Sequence, residues 1–248
     1  MKKIRIDQLL VERQLADSII KAHALIMAGV VLANEQRAEK PSEEFEPDAF
    51  IRLKGRAAAS RYVGRGGLKL EKALSEFGLD VSGFVCLDVG ASTGGFTDCL
   101  LQHRAAKVVT VDAGRNQIDW KLRRDARVEV REKINARYLT PDDFAESFDL
   151  IVMDVSFISV TKIFPAIVSL LKESGRMIVL IKPQFEVKRD EVGKGGIVRE
   201  AEKHERIILE VNQAAQQNNL HLCGIIDSPI LGADGNKEFL AFYERGKN

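Results

Sequence analysis

A glycine-rich turn follows an acidic residue at the end of one apolar segment of this chain. Segment 84–89 contains Asp88, and the turn that follows consists of Gly90, Ala91, Ser92, Thr93, Gly94, Gly95 and Phe96. Glycines let backbone N–H groups approach a ligand closely, and a helix beginning near Gly94 would direct its positive N-terminus to the same place. The pattern predicts a nucleotide-type cofactor site formed by Asp88 and these turn residues.

A second acidic residue, Asp112, ends the next predicted strand and lies 22 residues beyond Gly90. A carboxylate there can accept hydrogen bonds from both ribose hydroxyls of a nucleoside cofactor, in dinucleotide dehydrogenases and in S-adenosylmethionine methyltransferases alike. Asp88 separates the two classes, because a carboxylate in the first strand attracts the positive amino and sulfonium end of S-adenosylmethionine and repels a pyrophosphate. S-adenosylmethionine is therefore the expected cofactor.

Two more ionisable residues, Asp154 and Lys182, end apolar segments farther along the chain. Charged residues rarely end buried strands without a partner. Ligands of parallel sheets bind at the carboxyl ends of the strands, so we expect Asp154 and Lys182 to converge there, with Asp154 also contacting the cofactor. A purely structural ion pair is the alternative for each of them.

The spacing of apolar residues along the chain alternates between that of helices and that of strands, and these elements must position the residues named above. The predicted helices are 68–77, 95–103, 116–124, 161–172 and 200–217, and the predicted strands are 84–89, 107–112, 127–131, 148–154, 176–182, 222–228 and 238–244. This alternation predicts an α/β, Rossmann-like domain with a mostly parallel seven-stranded sheet and helices on both faces.

Residues 1–56 predict a small α+β domain of two short helices and short strands. The pattern Arg5-x-Asp7-x-x-Leu10, followed by a helix that begins after Ser18, resembles the S4 RNA-binding domain. That resemblance implies RNA contacts from the second helix and the turn after it, with Lys21 and Arg37 as candidates. Ile19 stands where S4 domains usually carry arginine. A helical accessory domain with solvated charges is the alternative.

Residues 57–64 are the predicted linker, within the most basic stretch of the chain. Arg61 and Arg65 are candidate phosphate contacts, and Tyr62 is a candidate platform for an unstacked base. A solvated linker is the alternative.

Several motifs taken together resemble the TlyA family over essentially the whole chain. They are Arg65-Gly66-Gly67-Leu68-Lys69, the turn 88–96, Asp154-Val155-Ser156-Phe157, Lys182-Pro183-Gln184-Phe185-Glu186 and Gly235-Asn236-Lys237-Glu238-Phe239. That family joins an S4 domain to an FtsJ-like methyltransferase domain, here 65–248. The resemblance implies S-adenosylmethionine as cofactor, ribosomal RNA or ribosomal subunits as partner, and methylation of a ribose 2′-hydroxyl, that of cytidine in characterised relatives.

The FtsJ-like family carries a Lys-Asp-Lys-Glu tetrad, which matches Lys69, Asp154, Lys182 and Glu238. By this resemblance, Lys182 holds or accepts the proton of the attacking hydroxyl, and the two carboxylates fix the two lysines. A contact of Lys69 with the RNA backbone is the alternative role for that residue.

Three further residues are candidate RNA contacts. Phe157 either stacks on the target base or plugs the core. Lys188 and Arg189 belong to the basic, glycine-containing segment 187–199, which predicts either a mobile lid over the substrate or a plain flexible loop.

Composition limits the remaining classes. The 248 residues include 37 Lys+Arg against 36 Asp+Glu, so RNA binding requires a local basic patch. Cys86, Cys99 and Cys223 are widely spaced and predict reduced, packed thiols. The first residues lack the apolar core and cleavage site of a signal peptide. We expect a cytoplasmic monomer without a metal site or a membrane span.

Two other functions stay open at this point. Many TlyA-family members are labelled hemolysins, which would make the protein a cytolysin, although no lipid-facing segment stands out. An RNA-binding ribosome-assembly factor without turnover is the second alternative.

Overall fold

The computed structural model describes residues 3–13, 15–16, 18–34, 36–47, 49, 51–53, 61–232 and 235–246. The chain divides into two compact units, Met1–Arg61 and Tyr62–Asn248. Residues 57–60 of the predicted linker lie outside the described residues.

The first unit is a small α+β structure. Its elements are β1 (Ile4–Arg5), α1 (Ile6–Glu12), α2 (Ile19–Met27), β2 (Val31–Ala33), β3 (Gln36–Arg37), β4 (Glu44–Phe45) and β5 (Ile51–Leu53). Ser18 caps α2, because its side chain accepts a 3.2 Å hydrogen bond from the backbone N–H of Lys21. Ile6, Leu10 and Ile26 are fully buried in a core of its own. The assignment of this unit to the S4 domains stays a prediction.

The second unit alternates strands and helices. Its helices are α3 (Gly66–Glu76), α4 (Gly95–Gln102), α5 (Trp120–Arg123), α6 (Phe164–Ile167), α7 (Pro183–Glu186) and α8 (Ala201–Gln217). Its strands are β6 (Val85–Val89), β7 (Lys107–Asp112), β8 (Val128–Glu132), β9 (Phe148–Met153), β10 (Leu171–Ile181), β11 (Leu220–Asp227) and β12 (Phe239–Arg245). Short 3₁₀ turns lie at Ala136–Tyr138, Pro141–Asp143, Val160–Lys162, Val168–Leu170 and Arg189–Glu191.

These strands form one seven-stranded sheet in the order β11-β12-β10-β9-β6-β7-β8. The five strands from β10 to β8 are parallel, whereas β12 runs antiparallel to both β10 and β11. Successive residues of β6 point to opposite faces: Leu87 belongs to one apolar core with α6 and α8, and Cys86 to another with α3 and α4. The predicted Rossmann-like architecture, with helices on both faces, is confirmed.

Two predicted helices are wrong in extent. Predicted helix 161–172 is only the single turn α6 between 3₁₀ turns, because Leu171 already pairs with Phe148 of β9 and so begins β10; a register shift separates this pair from the regular pairing that starts at Arg176. Predicted helix 116–124 is shortened to α5, because Asn116 has a φ of 54° and the Asp119 side chain caps the helix by accepting from Lys121 N at 2.9 Å.

The cysteines differ in exposure. Cys86 and Cys99 are buried outside any disulfide, as expected, but Cys223 is exposed on β11, so the prediction that it is packed is wrong. Within the described ranges, no helix is long and apolar enough to cross a membrane. In the same ranges, no cluster of three or more His, Cys, Asp or Glu residues could hold a metal ion.

Candidate active site

The carboxyl ends of four parallel strands carry the acidic and basic residues singled out in the sequence. Asp88 lies in β6, Asp112 ends β7, and Asp154 and Lys182 directly follow β9 and β10. The backbone N–H of Asp154 donates to Val89 O at 3.0 Å, which holds the two strand ends together. Gly90 is required here, since its φ is 84° and an added Cβ would lie 2.5 Å from the Asp154 carbonyl oxygen.

Asp88 is completely buried. Thr97 Oγ1 donates a 2.6 Å hydrogen bond to Asp88 Oδ2, while Asp88 Oδ1 has no hydrogen-bond partner among the described residues. Burial raises the pKa of Asp88 to about 7, and the hydrogen bond from Thr97 only partly opposes this. A buried carboxylate oxygen without a donor fits a ligand that brings a positively charged group.

A small cleft of about 180 Å³ opens beside Asp88. It is lined by Gly66, Asp88, Gly90, Ala91, Ser92, Thr93, Gly95, Phe96, Asp154, Ser156 and Lys182. The structure therefore gathers the predicted cofactor residues of the turn, except for Gly94. That residue has a φ of 95°, and a Cβ there would overlap Leu122, so it permits close packing of α5 against the turn.

A second cleft, of about 490 Å³, lies next to Asp112. The Asp112 carboxylate accepts hydrogen bonds from Ser92 N at 2.8 Å and Gly114 N at 2.7 Å. Each oxygen keeps a further lone pair that can accept from a ribose hydroxyl. Val111, Ile134 and Ile163 add apolar surface to the lining. A nucleoside with a charged tail reaching Asp88 fits the two clefts, which agrees with S-adenosylmethionine.

Lys182 and Asp154 meet, as expected. Lys182 Nζ lies 2.6 Å from Asp154 Oδ1, with side-chain exposures of 11% and 21%. Lys182 Nζ also donates a 3.0 Å hydrogen bond to Ser156 Oγ, a residue for which the sequence suggested no role. The feature of the sequence that could have indicated a role for Ser156 is its position in the polar loop that follows β9.

Lys69 and Glu238 form a separate ion pair. Lys69 Nζ in α3 lies 2.5 Å from Oε2 of Glu238, the residue before β12, and both side chains are at least nine-tenths buried. The pair faces a third cleft, of about 460 Å³, whose lining is Lys69, Ser156, Phe157, Lys182, Gln184, Phe185, Val192, Gly196 and Glu238. The four tetrad positions thus surround adjoining clefts as two ion pairs. The alternative role of Lys69 in contacting the RNA backbone is not supported, because its ammonium is buried against Glu238.

Phe157 is an exposed aromatic residue in a strained backbone conformation. Its φ is 64° and 91% of its surface is exposed, so the core-plug alternative is wrong. Its ring centroid lies 5.0 Å from that of Phe185, a residue that received no role from the sequence. The two rings line the third cleft together with Gln184, another unassigned residue, whose Oε1 is buried without a hydrogen-bond partner among described residues.

The prediction that Tyr62 exposes an aromatic face is wrong. Tyr62 is only 2% exposed and packs against Gly67 at the start of α3, where a Cβ would overlap the ring. The other RNA candidates have exposed side chains and stay predictions: Lys21, Arg37, Arg61, Arg65, Lys188 and Arg189.

The predicted lid, 187–199, is anchored at several points. The Asn236 side chain accepts from Val198 N at 3.0 Å and donates to Gly196 O at 2.9 Å, and Arg206 in α8 pairs with Glu191 at 2.6 Å. Asn236 was missed because its partners lie about 40 residues away in the chain. Mobility of this segment stays a prediction.

Comparison with known proteins identifies the family of the chain. The family description that matches is FtsJ-like methyltransferase, over residues 62–245. The chain is 41% identical to the 16S/23S rRNA (cytidine-2'-O)-methyltransferase TlyA of Mycobacterium tuberculosis, over 96% of this chain and 88% of that protein. It is also 41% identical to Hemolysin A of Brachyspira hyodysenteriae, over 97% of this chain and 99% of that protein.

Among solved structures, a Streptococcus thermophilus protein that carries the name hemolysin matches with a TM-score of 0.76 and 43% identity. The match covers 99% of this chain and 90% of that one. Both the sequence and the fold are thus shared along nearly the entire length. The chain is an S-adenosylmethionine-dependent methyltransferase of the FtsJ-like family and, within it, a member of the TlyA group.

Proposed function

We propose that this enzyme methylates the 2′-hydroxyl of a cytidine ribose in ribosomal RNA. The observation that carries the proposal is the position of Lys182, which lines both the small cleft beside Asp88 and the third cleft beside Lys69. A methyl donor in the first and a nucleotide in the second would meet at this lysine. The Mycobacterium tuberculosis relative is named for this reaction on 16S and 23S rRNA, which supports the choice of substrate.

The clefts suggest how the two reactants are held. Asp112 would accept the ribose hydroxyls of the donor, and Asp88 its ammonium group. Bound S-adenosylmethionine supplies a methyl group already activated by its sulfonium. Phe157 would stack on the target base after the base is flipped out of the RNA helix, since its ring is exposed and lines the third cleft.

The chemical step is an in-line displacement. The ribose oxygen forms the new bond to the methyl carbon as the carbon–sulfur bond breaks, and the hydroxyl proton passes to Lys182 Nζ once the ammonium of the ion pair with Asp154 has released its own proton to solvent. A protonated Lys182 would only orient the hydroxyl. Asp154 at 2.6 Å and Ser156 at 3.0 Å fix the position of this nitrogen. Positioning provides much of the acceleration.

The second ion pair has a supporting role in the proposal. The buried contact between Lys69 and Glu238 forms part of the wall of the third cleft and would shape the place of the target ribose. Lys21 and Arg37 of the first unit, together with Arg61, Arg65, Lys188 and Arg189, would contact the surrounding RNA. The cytoplasmic location, the monomeric state and the S4 identity of the first unit stay predictions.

The test is methyl transfer from labelled S-adenosylmethionine to separate 30S and 50S subunits and to naked rRNA, followed by mapping of 2′-O-methyl nucleotides. Lys182→Ala and Asp154→Ala should abolish transfer, and Lys182→Ala should still bind the cofactor. Lys172→Ala is the matched control, because Lys172 lies at the start of β10, the strand that Lys182 follows, and pairs with Asp149. Absence of transfer by the wild-type protein to every RNA would overturn the proposal.

The same preparation separates the alternatives. An assembly factor without turnover would bind subunits and S-adenosylmethionine yet transfer no methyl group. A cytolysin would release dye from liposomes, which the Hemolysin A name of the Brachyspira relative makes worth measuring.

A further inference from the structure

Trp120, the single tryptophan of the chain, is exposed on the surface of the methyltransferase unit. It begins α5, and 67% of its surface is accessible to solvent. Tryptophan is well buried on average, because burying its large indole ring removes much apolar surface from water. An exposed indole on a well-packed element is therefore a candidate contact for a binding partner.

The neighbours of Trp120 hold α5 rigidly in place. The N–H of Asp119 donates to Thr93 O of the glycine-rich turn at 3.1 Å, and Leu122, 1% exposed, packs under Gly94. Lys121 pairs with Asp98 at 3.2 Å, and Arg123 pairs with Glu132 at 2.5 Å. Leu122 is thus buried and Lys121 and Arg123 are held by carboxylates, whereas the exposed indole has no such anchor in the helix.

Unneutralised positive charge lies on both sides of the indole in sequence. Segment 115–127 contains five basic and two acidic residues. Three of the basic residues, Lys121, Arg123 and Arg127, have carboxylate partners. Arg115 and Arg124 are exposed and form no ion pair with any residue that the structure describes, and the Arg124 guanidinium carbon lies 5.9 Å from the Trp120 ring centroid.

We propose that Trp120, Arg115 and Arg124 form an RNA-binding surface on the donor side of the active site. The indole would stack on an unpaired base that flanks the target nucleotide, and the two guanidinium groups would contact phosphates. The proposal rests on the function proposed above, which supplies RNA as the partner. Charge favours RNA over a protein, because two free cations beside an aromatic platform match a phosphate backbone with unstacked bases.

This surface differs from the acceptor cleft. Phe157 and Lys182 line that cleft, whereas Asp119, the residue before Trp120, is hydrogen-bonded to Thr93 of the glycine-rich turn, and Trp120 is not among the lining residues. We therefore expect this surface to determine the register and the affinity with which the RNA binds, and to leave cofactor binding unchanged.

Because the chain has one tryptophan, its fluorescence reports on this surface alone. The full-length protein, saturated with S-adenosylhomocysteine to keep any effect of the cofactor constant, would be titrated with protein-free 23S and 16S rRNA and with a 12-nucleotide oligouridylate. We expect RNA to quench the emission and to protect the indole from iodide. Unchanged emission and iodide access at saturating RNA would overturn the proposal.

Variants give a second readout by filter binding. Trp120→Ala should weaken RNA binding at least about fivefold, and Arg115→Ala/Arg124→Ala should reduce the slope of log K against log salt by about 1.4. Leu209→Ala, an exposed apolar residue of α8, and Arg176→Ala, which is paired with Glu244, are the controls. S-adenosylhomocysteine affinity should stay the same in all of them.

The outcomes also separate this surface from the proposed function. Quenching without methylation of any RNA would support the surface and contradict the function, and methylation with wild-type affinity in Trp120→Ala would do the reverse. If the variant lost affinity for intact subunits alone and not for naked rRNA, the partner would be a ribosomal protein and the proposal would be wrong.

Discussion

Thr97 donates a 2.6 Å hydrogen bond to one oxygen of Asp88, and the other oxygen is enclosed without a hydrogen-bond partner among the described residues. Burial outweighs the hydrogen bonding from Thr97, and the pKa of Asp88 rises from 3.8 to about 7. The residue that attracts the cofactor is thus costly to ionise in its absence. This relationship gives two predictions about pH.

Asp88→Asn should change how stability depends on pH. With a pKa raised on folding, wild-type Asp88 holds its proton more tightly in the folded state, so its contribution to stability declines as pH rises from about 4 to about 7. Asparagine removes this dependence. The unfolding free energy of the variant relative to wild type should increase over that window, by at most about 4 kcal/mol. Denaturant titrations of unliganded protein at pH 5 and pH 8 measure it, and equal pH dependence in both proteins would contradict the assignment.

Cofactor affinity should show the opposite trend. The ionised form of Asp88 attracts the ammonium group of S-adenosylmethionine, so wild-type affinity should rise several-fold between pH 6 and pH 8. In Asp88→Asn the affinity should be low and nearly constant across this range. Calorimetric titration at each pH provides the measurement, with Asp80→Asn, an exposed carboxylate before β6, as control.

Lys69→Ala should both destabilise the protein and abolish its activity. Glu238 is 2% exposed and would be left as a buried charge without its partner, which typically costs about 3–5 kcal/mol. The double variant Lys69→Met/Glu238→Leu should recover most of the stability but not the methyl transfer. Guanidinium unfolding and turnover measured on the three proteins distinguish the roles. Recovery of turnover in the double variant would show that the pair is only structural.

Phe157→Gly should separate stability from activity. Phe157 has a φ of 64°, a conformation that glycine adopts without strain, and its exposed ring forms little of the core. The variant should unfold no more easily than wild type, with a gain of up to about 1 kcal/mol, while losing the base-stacking contact. We expect turnover on rRNA to fall at least about tenfold. Phe157→Tyr, which keeps an aromatic ring, should retain most activity; equal activity of all three would argue against stacking.

Tyr62→Ala should act through stability alone. The ring is 2% exposed against Gly67, and truncating a buried aromatic side chain costs about 3–5 kcal/mol. Thermal unfolding should shift down, whereas RNA affinity measured well below the transition should match wild type. A specific loss of RNA affinity in the folded variant would restore the sequence-based interpretation.

The strand ends of the parallel sheet could be predicted from the sequence. Asp88, Asp112, Asp154 and Lys182 each lie at the end of an apolar segment, and a parallel sheet brings such ends to one edge. Local pattern was sufficient because each residue is positioned by its own strand.

Residues positioned by long-range contacts could not be predicted from local pattern. Glu238 precedes an antiparallel strand and reaches Lys69 across 169 positions of the chain, so only the family resemblance identified the pair. Tyr62 lies in a basic segment that suggests exposure. Its ring is nevertheless buried, because Gly67 has no side chain and leaves room for the ring to pack against its backbone. The hydrogen bonds of Asn236 with Gly196 and Val198 likewise join residues that are distant in sequence.

The sheet order has a consequence for protein synthesis. Strand β12, which follows the other six strands of the sheet in chain order, lies between β10 and β11, and Glu238 stands immediately before it. On a translating ribosome the parallel strands and Lys182 emerge first, while Lys69 lacks its counter-charge until the chain through Arg245 has been made. A nascent chain in which β12 has not yet joined the sheet would therefore hold an incomplete third cleft. Catalytic competence would begin only when the chain is long enough to complete the sheet.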